Sequence, residues 1–174
     1  FLLGFAAVAF MSSCGGSKPA TQGRKKIEIP CDDKAKADAT YFRASGQAKS
    51  PNQANAKDKA LLNAKSRLAA SINTKIKSVT ESYTNEMDAG GAQEFNQTFE
   101  NMTRAVVSQT LVEVEETCSE LYEAEGGGYD AYVALQVSKD AIYNGIDKGI
   151  SKDKKLEVMY DRQKFKEKFD EEMS

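Results

Sequence analysis

Tyr41-Phe42-Arg43-Ala44-Ser45-Gly46-Gln47-Ala48, then Ser50-Pro51-Asn52-Gln53, is the stretch whose reading decides the fold. The first eight residues read as a strand. The next four read as a helix start: Ser50 is a capping residue, Pro51 suits the first helical position, and Gln53 completes a capping box. Leu61, Ala64, Leu68, Ile72, Ile76, Val79 and Tyr83 then follow at steps of three and four. That spacing puts one apolar stripe against a core and predicts a helix to about Asn85 or Met87, broken by Gly90-Gly91.

Working toward the C-terminus, Phe95, Phe99, Met102 and Val106 mark a second helix that ends over Val107 to Thr110. From Leu111 the pattern turns to β, with Val112, Val114, Cys118 and Tyr122 on one side of a strand. Gly126-Gly127-Gly128 suits a hairpin turn. Beyond it Tyr129, Ala131, Val133, Leu135 and Val137 alternate with Asp130, Tyr132, Ala134, Gln136 and Ser138, the pattern of a half-buried antiparallel strand. Ser138 caps a short helix to about Gly149, and Ser151 opens a last, highly charged one bearing Leu156, Met159, Tyr160, Phe165 and Phe169. The predicted order is β-α-α-β-β-α-α. This is an α+β fold: a small antiparallel sheet with helices packed on one face, plus C-terminal helices.

Toward the N-terminus, Phe1 to Met11 is an apolar run too short to span a bilayer as a mature helix. It begins without a methionine or a basic flank, as expected of a leader seen from part-way in. Ser12-Ser13-Cys14-Gly15-Gly16 resembles the lipobox of bacterial lipoproteins, in which small residues precede an acylated cysteine. Acyl chains at about 0.8 kcal/mol per buried CH₂ hold such a protein at a membrane. The expected organisation is a cleaved signal peptide over residues 1–13, then the lipidated Cys14 with a polar tether over 14–36. An α+β domain over 37–150 and a charged helix over 151–174 complete it. Within the tether, Arg24-Lys25-Lys26 reads as a solvated linker, and Pro30 confines Ile27-Glu28-Ile29 to an edge or lead-in loop.

Composition narrows the chemistry. There are 24 basic and 26 acidic residues, a formal net charge of −2, so no global pull toward nucleic acid is expected. No histidine is present, which removes Ser-His-Asp and Cys-His triads and most zinc, copper and non-haem iron sites built by this chain. No phosphate-binding glycine loop appears. No cofactor or metal site is therefore expected. With Cys14 acylated, Cys31 and Cys118 are left either to bridge in an oxidising compartment or to sit apart as two buried thiols.

The combination resembles a family of small bacterial lipoproteins, the Lpp-twenty type. The resemblance lies in the Cys14 lipobox, the strand Tyr41 to Ala48, the alanine-rich helix Ala54 to Ala69 and the hairpin strand Gly128 to Val137, and covers roughly residues 38–140. The layout is also similar to the N-terminal domain of the flagellar protein FlgT and, more distantly, to curli-type secretion lipoproteins. The resemblance implies an envelope-anchored, non-enzymatic module and carries over no catalytic residue. The tail from Lys152 lies outside it. Glycine rather than aspartate after Cys14 implies an outer-membrane anchor facing the periplasm.

The leading expectation is thus a lipid-anchored binding or assembly module that meets another envelope protein. The tyrosines at 122, 129, 132 and 143 can supply contact area or simply cover the core rim. A secretion or flagellar assembly accessory is one variant, and a homo-oligomer paired through the charged C-terminal helix is another, against the plainer reading of that helix as solvated. The alternative class is a glycan hydrolase using Glu113, Glu115, Glu116, Glu120, Glu123 or Glu125. A solvated acidic edge that discourages aggregation explains those residues more simply. A Ca²⁺ site on the same carboxylates lacks the usual ligand loop.

Overall fold

The protein, seen here as a computed structural model, is described over residues 27–87 and 89–173. The leader, Cys14 and the basic cluster Arg24-Lys25-Lys26 lie outside the described residues. The elements are β1 (Tyr41–Ser50), α1 (Gln53–Thr84), α2 (Ala89–Thr110), β2 (Glu115–Glu123), β3 (Tyr129–Ser138), α3 (Lys139–Ile150), α4 (Lys154–Met159) and α5 (Arg162–Met173). The fold is α+β, with one three-stranded antiparallel sheet in the order β1-β3-β2. Helices pack on one of its faces.

The alternation of β3 divides the sheet. Ala131, Val133, Leu135 and Val137 face the helices and are buried. Through the register, Phe42, Ala44, Gly46 and Ala48 of β1 join them. Across that face lies α1, whose buried residues climb in size: Ala56, Ala60 and Ala64, then Leu68, Ile72 and Ile76, then Val79 and Tyr83. The alanines sit where the sheet comes closest. At 32 residues, α1 is about 48 Å long and overhangs a strand of about 33 Å. Its far half therefore builds a second patch of core with α2 and α5. There Tyr83, Phe95, Phe99, Tyr160 and Phe165 form a chain of ring contacts with centroids 5.2 to 6.5 Å apart.

Several sequence expectations shift. Ser50 is the last residue of β1, paired with Tyr129, so the cap passes to Asn52, whose side chain accepts from Asn55 N–H at 3.1 Å. The helix breaks at Asn85 to Met87, and Gly90 and Gly91 fall inside the first turn of α2. The buried seam of α2 is Phe95, Phe99, Thr103 and Val107. Met102 and Val106 instead lie half-buried against Gly149 and Gly145 of α3, where added Cβ atoms would clash with them. Leu111–Glu113 form a 3-10 turn, and a register shift between Glu116 and Cys118 breaks the alternation of β2. Val114 consequently packs on the core, Val112 is exposed, and Cys118 and Tyr122 share the helix-free face. The glycine turn is as expected: Gly126, Gly127 and Gly128 all take positive φ, which a side chain would resist.

The charged tail is not a solvated helix. It splits into α4 and α5 at Tyr160-Asp161, and Phe165, Phe169 and Met173 are buried. Its basic-to-acidic order is compensated locally. Lys164 pairs with Glu86 at 2.6 Å, Ser78 and Ser82 donate to the Glu172 carboxylate at 2.7 and 2.9 Å, and Lys75 donates to the Glu172 carbonyl. Those donors hold the Glu172 carboxyl below its ordinary range. The break is secured by Tyr83, whose hydroxyl accepts from Asp161 N–H at 2.8 Å and donates to Met159 C=O at 3.1 Å. Tyr83→Phe removes both bonds and leaves two backbone groups unmet, so a loss of about 1–3 kcal/mol is expected in urea unfolding. Amides of α5 should exchange faster, while the sheet stays protected.

Candidate functional site

Two places in this frame gather unusual side chains. The first is the helix-free face of the sheet. Ala134 points there yet is fully buried, because the chain before β1 folds over it. Cys31 is bonded to Cys118, with Cα atoms 5.6 Å apart, and a short 3-10 turn at Asp32–Ala35 follows it. The packed body thus begins at Cys31, inside the segment expected as tether. Ile27 and Ile29 ahead of it are exposed and form no strand.

Beside the bridge, Arg43, Gln136 and Glu115 occupy one row across all three strands. Arg43 Nε donates to Gln136 Oε1 at 2.8 Å, and Gln136 Nε2 donates to Glu115 Oε2 at 2.7 Å. Arg43 also meets the Asp38 carboxylate, which accepts from the backbone N–H groups of Thr40 and Tyr41 at 2.8 Å. The guanidinium first, and then those two amides, hold the Asp38 carboxyl down at about 2. A depressed carboxylate stabilises the fold above its unfolded pKa near 3.8, and that contribution disappears as pH falls through about 2. Asp38→Asn should therefore lower the urea midpoint at pH 7 and lose its disadvantage between pH 4 and 2. An equal deficit at pH 2 would point to lost packing instead.

Cys31, Cys118 and Glu120 lie within 4.8 Å of one another. Sulfurs joined to each other carry no proton and offer no thiolate to a metal, so the contacts of Glu120 Oε1 with them at 3.5 and 4.0 Å are packing. Tyr122 donates to Glu120 and stacks edge-on against Tyr132. Of the four tyrosines considered for a contact surface, only these two share the open face. Tyr143 is buried against Phe169, and Tyr129 packs on the core.

The strand glutamates do not converge. Glu115 and Glu120 face away from the helices, Glu116 and Glu123 take the opposite face by register, and Glu113 sits on the 3-10 turn. None of them lines the cleft between α1 and α2.

The second place is a cleft of about 410 Å³ between α1 and α2. Ile76, Thr80, Phe99 and Thr103 form its floor. Asn73, Lys77 and Glu81 wall it on one side, and Asn96, Glu100 and Arg104 on the other. Both charged pairs close along their own helix, Lys77 with Glu81 at 3.7 Å and Arg104 with Glu100 at 2.8 Å. Thr103 is the anomaly. Thr74, Thr80, Thr84 and Thr110 each donate to the carbonyl four residues back, at 2.7 to 2.9 Å. The buried Thr103 hydroxyl has no partner. Sequence reading passed over this residue, although a threonine on the stripe of Phe95 and Phe99 was the available signal.

No protein-family model matches the chain, and neither does any curated protein or solved structure. No helix among the described residues is long and apolar enough to cross a membrane.

Proposed function

We propose that the protein is an envelope lipoprotein, held by acyl chains on Cys14 at the outer membrane and facing the periplasm. Its body acts as a non-enzymatic binding or assembly module for another envelope protein. The Cys31–Cys118 bond carries this reading, because disulfides persist in oxidising, extracytoplasmic compartments. It also pins the chain to the sheet about 17 residues after Cys14, a tether that reaches at most about 60 Å. Short reach and a firmly closed body suit a module presented to partners near the bilayer. The separated strand glutamates give the hydrolase reading no paired acid and base. The secretion or flagellar accessory reading differs only in which partner is met.

Fractionation with in-cell crosslinking tests the proposal. The native chain is expected in the outer-membrane fraction, labelled by palmitate, with a discrete crosslinked adduct. Cys14→Ala should move to the periplasmic soluble fraction and lose the adduct. A Cys14→Ala protein that stays in the membrane with its adduct intact would sink the anchor argument.

A further inference from the structure

We propose that the cleft between α1 and α2 is a binding site for a small uncharged ligand carrying an acetamido group, such as an N-acetylhexosamine. Its volume of about 410 Å³ lies within the range of small-molecule sites, roughly 300–1,000 Å³. The lining selects the chemistry. Each charge on the rim is already neutralised by a neighbour one turn along the same helix, so nothing there is left to draw an ion. Asn73 stands on the α1 wall and Asn96 on the α2 wall, and neither side chain makes a hydrogen bond among the described residues. Each offers both a donor and an acceptor.

Thr103 adds an independent observation. It is only 5 % exposed, and its hydroxyl, unlike those of four other helical threonines, is not committed to its own backbone. A buried hydroxyl without a partner is costly, so a site that keeps one is poised for an external group. An acetamido group matches the set. Its carbonyl and N–H suit the donor and acceptor of one asparagine amide, its methyl suits the apolar floor of Ile76 and Phe99, and ring hydroxyls suit the other amide and, after a turn about χ1, Thr103. The inference does not depend on the anchor, since the cleft belongs to the folded body.

The test is a ¹H–¹⁵N titration of the full chain carrying Cys14→Ala, with N-acetylglucosamine as probe and glucose as the analogue lacking the acetamide. Saturable shifts are expected at the amides around Asn73, Asn96 and Thr103, with glucose binding about tenfold or more weakly. Asn96→Ala should weaken N-acetylglucosamine by about tenfold, and Thr103→Val by a comparable factor. Because the Thr103 hydroxyl bonds to nothing in the protein, Thr103→Val should unfold at the same temperature as the parent or higher. Absence of saturable shifts in the cleft, equal binding of glucose, or undiminished binding by both variants would each overturn the proposal. So would destabilisation by Thr103→Val, because it would reveal a protein partner for the hydroxyl.

Discussion

Gly46→Ala is expected to destabilise the fold by about 3 kcal/mol or more, at or beyond the upper end of overpacking penalties. β1 crosses α1 at this residue so closely that a Cβ would overlap Ala60 O and Ala64 N and stand 2.9 Å from Ala64 Cα. All three are backbone atoms of a helix interior. No side-chain rotation relieves the overlap, so the helix must lift from the sheet. Lifting it would open the contacts of Ala56, Ala60 and Ala64, all fully buried. Gly127 supplies the comparison. It takes φ +96°, and a Cβ there would meet nothing within 4 Å. Gly127→Ala therefore carries only the left-handed backbone penalty, roughly 1–2 kcal/mol. Urea unfolding of both variants decides the matter. If Gly127→Ala is the more damaging, the close approach of strand and helix is not what requires glycine at 46.

That crossing marks where the sequence was legible and where it was not. The strand at Tyr41, the long stripe from Ala64 to Tyr83 and the alternation of Tyr129 to Ser138 were readable because each is a local periodicity enforced by one buried face. The closest contact was not, because Gly46 and Ala60 are ordinary residues until the chain folds back on itself. The cap moved from Ser50 to Asn52 because ladder pairing with Tyr129 competed for Ser50. The single tail helix became two because Tyr83, far away in sequence, stabilises the break at Asp161. For the candidate cleft, Phe99 was identified as a core residue, whereas Thr103, one step further along the same stripe, is polar and so does not stand out in a pattern of apolar side chains. Its missing bond is visible only against the four threonines that make theirs. The Cys31–Cys118 pairing was one of two open readings, since spacing alone cannot bring two Cα atoms to 5.6 Å.

Removing that bond, by reduction or as Cys31→Ser/Cys118→Ser, should cost about 4–5 kcal/mol by loop-closure entropy over its 87-residue separation. For a body of this size the loss lowers the melting temperature by roughly 10–18 °C. Most of the effect lies in the unfolded chain, which regains the freedom of a long loop. Part lies in the native state, where Cys31 holds a left-handed φ of 63° and the segment behind it keeps Ala134 from water. The two parts separate by hydrogen exchange. Once the bridge is gone, nothing covalent holds Asp32–Ala35 against the sheet, and their amides should exchange near the rate of an open loop. From Asp38 onward the Arg43 and backbone N–H bonds persist, so protection should resume at β1 and extend across the β1-β3-β2 ladder. A double variant that keeps the native melting temperature and leaves Asp32–Ala35 protected would show that packing, not the bridge, holds the lead-in on the sheet. Protection lost equally from Asp32 to Ser138 would instead make the bridge a condition for the sheet itself.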